Sequence, residues 1–233
     1  MEVKQWHLEP SIVSFNAIIE TMKRAQEWQR ALVLLSDIGD RRLQLNLVSF
    51  GTVMTACVAA AQWLQALDVF RAARSVATLG ALQTRGRGSA AAVLYSAAVA
   101  AYETVAQWPF ALDLLQAATQ SRVKLDAILY NSVLSACDKG HRWQEALETL
   151  KDVQQLNLGN IVSYSTAMSA CAKGAQWHWA IFLLKSLENA NPQPNQVTYA
   201  AAISACEKGE GRWAEALGLL ERMPPQHRDL VSF

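Results

Sequence analysis

Arg24, Lys139, Lys173 and Lys208 each stand nine residues after an aromatic, which is Phe15, Tyr130, Tyr164 and Tyr199 respectively. A cation repeated at one structural place forms a locally positive track that can hold an anionic ligand, although the net charge of the chain is only +1. The same placement near a helix end also suits the negative pole of that helix, an effect of about 0.3–1 kcal/mol at an exposed site. Other reactive side chains do not assemble into a catalytic or metal centre. Cys57, Cys137, Cys171 and Cys206 each fall seven residues after an aromatic. Equivalent positions in stacked helices lie about 8–10 Å apart, beyond the roughly 7 Å that a disulfide spans. No C-x-x-C pair offers zinc ligands. These cysteines read as small buried apolar residues, and free thiols fit a reducing compartment. His7, His141, His178 and His227 show no ligand spacing, and no serine sits in a G-x-S-x-G turn. The expectation is a chain with no catalytic residue, no metal and no cofactor, and therefore not an enzyme.

What positions the cations is a repeat. Phe15, Phe50, Tyr95, Tyr130, Tyr164 and Tyr199 are separated by 35, 45, 35, 34 and 35 residues. A tryptophan follows thirteen residues later at Trp28, Trp63, Trp108, Trp143 and Trp177, and fourteen later at Trp213. Alanine and an aliphatic come next, as in Ala31-Leu32, Ala146-Leu147 and Ala180-Ile181. Residues 161–195 show the unit most clearly. Tyr164, Ala167, Met168 and Cys171 form one apolar helical stripe, and Trp177, Ala180, Ile181 and Leu184 form a second. Ser163 is the expected N-cap of the first helix. Gly174 is expected to close it in the left-handed conformation at C′. Six helical hairpins with a period near 35 predict an all-α fold, an α-solenoid whose stability comes from stacking of neighbours.

The predicted units are 12–46, 47–91, 92–126, 127–160, 161–195 and 196–229. Residues 1–11 read as the tail of a preceding repeat and residues 230–233 as the start of a further one. The second unit is ten residues longer than the norm, and residues 78–89 read as a surface loop carrying Arg85 and Arg87. Pro109 suits the first turn of its helix, where a missing N–H costs little. A 52% hydrophobic content with 11 glycines and 6 prolines excludes a disordered chain. The apolar run at residues 89–102 is too short for a membrane span, which needs about 20 residues.

Openings such as VSYSTAMSACAKG and VTYAAAISACEKG, followed by W-x-x-A-L, resemble pentatricopeptide repeats over residues 12–229. Tetratricopeptide repeats are the competing assignment, but their Trp lies in the first helix, whereas here every repeated Trp opens the second.

The resemblance implies single-stranded RNA as partner, one base per repeat, read in a groove lined by the first helices. It implies that Val13, Val48, Val93, Ile128, Val162 and Val197, two residues before each aromatic, sandwich the bases. Phosphates would fall to Arg24, Lys139, Lys173 and Lys208. Base choice would rest on the residue after the aromatic together with the last residue of the repeat, where amides and hydroxyls can meet a base edge. Asn16 with Asn46 and Asn131 with Asn160 imply pyrimidines, C somewhat over U. Ser96 with Asp126 implies G, and Ser165 with Asn195 implies A. Gly51 with Ala91 has no side chain able to read an edge, and Ala200 with Asp229 keeps one polar partner. The implied target is 5′-Y-N-G-Y-A-N-3′. By resemblance the chain would act in a chloroplast or mitochondrion, in RNA processing, stability or translation, alongside other RNA-processing proteins. A protein-interaction solenoid without RNA is the alternative, favoured by the near-neutral charge. Neither a membrane nor a small-molecule substrate is expected.

Overall fold

The computed structural model describes residues 12–40, 47–78, 87–121, 123, 125–188, 193–209 and 212–223. Among them all regular structure is helical. Six first helices are α1 (Ile12–Arg24), α3 (Leu47–Ala59), α5 (Arg87–Thr104), α7 (Ala127–Lys139), α9 (Ile161–Lys173) and α11 (Gln196–Lys208). They alternate with six second helices, α2 (Trp28–Asp40), α4 (Trp63–Thr78), α6 (Trp108–Gln120), α8 (Trp143–Gln155), α10 (Trp177–Glu188) and α12 (Trp213–Arg222). Each repeated tryptophan is the first residue of a second helix.

Every first helix packs on its own second helix and on the first helix of the next unit, while each second helix also packs on the following first helix. No pair of second helices packs together to a comparable extent. The first helices thus form one continuous layer, and the second helices stand apart on the other side. The result is an α-solenoid. Burial follows the register: Phe15, Phe50, Tyr130, Tyr164 and Tyr199 are all buried, as are the four cysteines. No described helix is long and apolar enough to cross a membrane.

Helix ends depart from the sequence expectation in three places. Asn160, not Ser163, is the N-cap of α9: its side chain accepts from the Ser163 N–H at 2.9 Å, and Ser163 Oγ accepts in return from the Asn160 N–H. Ser163 is therefore the third helical residue of a capping box. Gly174 has φ −85°, so it is not the left-handed residue; Ala175, one further on, has φ 54°. The Ala175 N–H bonds the Ala172 carbonyl and the Gln176 N–H bonds the Cys171 carbonyl, the two bonds of a Schellman turn. Gln26, Ala61, Ala106 and His141 occupy the same place with φ between 54° and 58°. Finally, α4 runs to Thr78 and α5 starts at Arg87, so residue 78 and residues 87–89 of the expected loop are helical and the third unit's first helix begins five residues before residue 92. The alanine run at residues 90–92, of the highest helix propensity, extends the helix backwards. Arg85 lies outside the described residues.

Candidate nucleic-acid interface

Asp126, Asn160 and Asn195, which end the third, fourth and fifth repeats, are the N-caps of the next first helix, whereas Ala91 lies inside α5. Asp126 accepts from the Leu129 N–H at 3.0 Å and Asn195 from the Thr198 N–H at 3.1 Å, as Asn160 does from Ser163. Capping decides what such a side chain has left to offer. An asparagine with its carbonyl oxygen turned to the helix presents its NH₂ donor, whereas Asp126 keeps only acceptor capacity.

Asn131 and Asn160, 29 residues apart in sequence, are brought together across the joint between α7 and α9. Asn131 Nδ2 lies 3.4 Å from Asn160 Oδ1, and Ser163 Oγ donates to Asn131 Oδ1 at 2.7 Å. The first unit repeats the second of these bonds, with Ser49 Oγ donating to Asn16 Oδ1 at 2.7 Å. Ser96, Asp126, Val93 and Ile128 line one groove of about 640 Å³ between α5 and α7. Ser165, Val197, Lys173 and Lys208 line another of about 430 Å³ beside α9 and α11. Asn46 and Asp229 lie outside the described residues.

Val13, Val48, Val93, Ile128, Val162 and Val197 are all solvent-exposed, between 45% and 72%. Six branched apolar side chains held in water at one register position are not explained by packing, since the fold buries the neighbouring aromatics. In the second unit the slot is narrowed. A Cβ on Gly51 would stand 2.9 Å from Val93 Cγ1, so Val93 fills the room a reading side chain would need.

The basic ladder is only partly free. Lys139 Nζ pairs with Glu103 at 2.9 Å, and Lys173 Nζ pairs with Asp138 Oδ2 at 2.6 Å, each reaching back to the preceding first helix. Arg24 stands 4.0 Å from Glu20, and Lys208 makes no ion pair among the described residues. Sequence reasoning missed Glu103 and Asp138. Their signal is an acid one place before the ladder position of the preceding unit.

A profile of the pentatricopeptide repeat domain matches residues 1–24. The solved structure of the pentatricopeptide repeat protein PPR10 in complex with an 18-nt psaJ RNA element superposes with a TM-score of 0.74 at 19% identity, over 94% of this chain and 31% of that one. A cysteine-to-serine variant of the same complex gives identical values. PPR10 from maize, in a further crystal structure, gives 0.64 at 21% identity, over 95% of this chain and 31% of that one. The chain has the helical-repeat solenoid fold of PPR10. It spans about 31% of the length of PPR10. No curated protein matches it in sequence.

In the later units of this solenoid the joint is a tryptophan pressed on a glycine. Trp108 Cδ1 lies 2.4 Å from the place of a Cβ on Gly140, and Trp177 Cδ1 lies 2.5 Å from that on Gly209. Arg142 and Arg212 cover the faces of those two rings, with guanidinium carbons 4.4 and 4.5 Å from the centroids. The cysteines lie inside. Burial pushes the Cys57 thiol up to about 11 and the Cys137 and Cys171 thiols up to about 12, far from the range of a nucleophile at neutral pH.

Proposed function

We propose that the solenoid binds single-stranded RNA along its layer of first helices, one base per joint. The observation that carries this reading is the row of exposed branched residues, Val13 to Val197, with polar side chains between them. Flat apolar slots alternating with donors and acceptors suit unstacked bases, which need a face to lie on and an edge partner. The RNA complex of PPR10, a protein of the same fold, supports it. Asn131 with Asn160, and Asn16 with Asn46, select pyrimidines; Ser96 with Asp126 selects G; Ser165 with Asn195 selects A. The Gly51 and Ala200 positions accept any base. The target is then 5′-Y-N-G-Y-A-N-3′, and the role is binding rather than catalysis, in organellar RNA processing, stability or translation.

The two lysine–carboxylate pairs favour one rival, a protein-interaction solenoid, because they remove positive charge from the track. Fluorescence anisotropy decides between them. Labelled RNA of the target sequence should bind more tightly than RNAs changed at the third or fifth base, by about 5- to 150-fold per base on the usual 1–3 kcal/mol of stacking and edge contact. Equal affinity for every sequence, unaffected by salt, would hand the groove to a protein partner.

A further inference from the structure

The ladder position at the end of the first helices presents a comparison built into the chain. Lys139, Lys173 and Lys208 occupy one place in three successive units. The residue that faces each of them from the preceding first helix differs: Glu103 faces Lys139 and Asp138 faces Lys173. The corresponding residue before Lys208 is Ala172. Two lysines are neutralised across a joint and the third is not. We propose that Glu103 and Asp138 are internal competitors for the ligand's phosphates, holding Lys139 and Lys173 until an RNA backbone displaces them, while Lys208 is the standing phosphate contact. This rests on the RNA reading above.

Geometry supports competition over simple bracing. Glu103 is held from a second side by Ser135 Oγ at 2.8 Å, so the acid stays in place when the lysine leaves. Asp138 has one oxygen on Lys173, while its other oxygen, Oδ1, is buried with no hydrogen-bond partner. A carboxylate left half-satisfied is a poor device for stability, because an unmet buried acceptor costs free energy. Both lysines sit at the surface, where an ion pair is weak enough to exchange partners.

The consequence is thermodynamic. A free lysine that neutralises a phosphate releases the counterion that phosphate had condensed. A lysine taken from a carboxylate leaves that carboxylate to recapture a cation, so the net release is close to zero. Four free cations would give log affinity against log salt a slope near −2.8, at about 0.7 per phosphate. With Lys139 and Lys173 paired, the slope should be near about −1.4. The acids would thus suppress binding to arbitrary polyanions while leaving base contacts to choose the RNA.

The test measures anisotropy with the 5′-Y-N-G-Y-A-N-3′ RNA across a salt series on four chains: wild type, Glu103→Gln with Asp138→Asn, Lys208→Ala, and Ala172→Asp. The double variant should bind about twofold to fivefold more tightly per joint, with a slope steeper by about 1.4. Lys208→Ala should weaken binding and flatten the slope by about 0.7. Ala172→Asp, which gives Lys208 the missing acid at a buried position, should flatten the slope in the same way although its melting temperature falls. If RNA binds but the double variant is unchanged or weaker with a lower melting temperature, the carboxylates only brace the joint and the competition is wrong. If no chain binds RNA, the RNA reading fails instead.

Discussion

Trp143 Cδ1 lies 2.4 Å from where a Cβ on Gly174 would stand, with Cγ of the same ring at 2.9 Å. The glycine is thus required by the indole of the preceding unit and not by its own backbone, whose φ is −85°. In the first three units Ala25, Ala60 and Val105 hold this place, so the close approach belongs to the second half of the stack.

Gly174→Ala should destabilise the solenoid by about 1–3 kcal/mol, because a rigid ring must move to admit the methyl. Ala175→Gly should stabilise it by up to about 1 kcal/mol, since alanine there carries the left-handed strain at φ 54°. Urea unfolding of the two variants checks both signs.

Tryptophans at one register position should differ in worth. Trp177 lies under Arg212 and against Gly209, whereas Trp213 is 70% exposed. Trp177→Ala should cost about 3 kcal/mol, and Trp213→Ala no more than about 0.5 kcal/mol. Paired denaturation curves measure the difference.

Asn195→Asp should leave the melting temperature almost unchanged, since Asp126 already caps α7 in the same geometry. Combined with Ser165→Asn, it should move the preference at the fifth base from A towards U, because the donor at that edge becomes an acceptor. Competition binding with RNAs differing only at that base reads this out. An unaltered preference removes base reading without touching the fold.

Alkaline pH should weaken the fold through its thiols. Below pH 9 the cysteines are protonated whether folded or not. An exposed thiol ionises near 9.0, while burial holds Cys57 up to about 11 and Cys137 and Cys171 up to about 12. Between those values the folded chain binds more protons than the unfolded one, so stability falls as pH rises from 9 towards 12. Urea midpoints at pH 8 and 10.5 should diverge more for the wild type than for Cys137→Ala with Cys171→Ala. Iodoacetamide at pH 8 should label these thiols only after unfolding.

Sequence alone determined the repeat. Helix hairpins stack by local apolar periodicity, and a period repeated six times carries its own register, so the aromatics, the tryptophans opening each second helix and the buried cysteines could all be placed without coordinates. Spacing also located the exposed branched residues. Tertiary structure decided what lies between units. Asn160 caps the helix that Ser163 was expected to cap, and Ala175 takes the left-handed turn expected of Gly174. Lys139 and Lys173 are spent on Glu103 and Asp138. The cap and the turn are settled by local bonds three to five residues apart, among which spacing alone does not choose, and the lysine pairs by side chains of neighbouring repeats that meet across a joint some thirty-five residues apart.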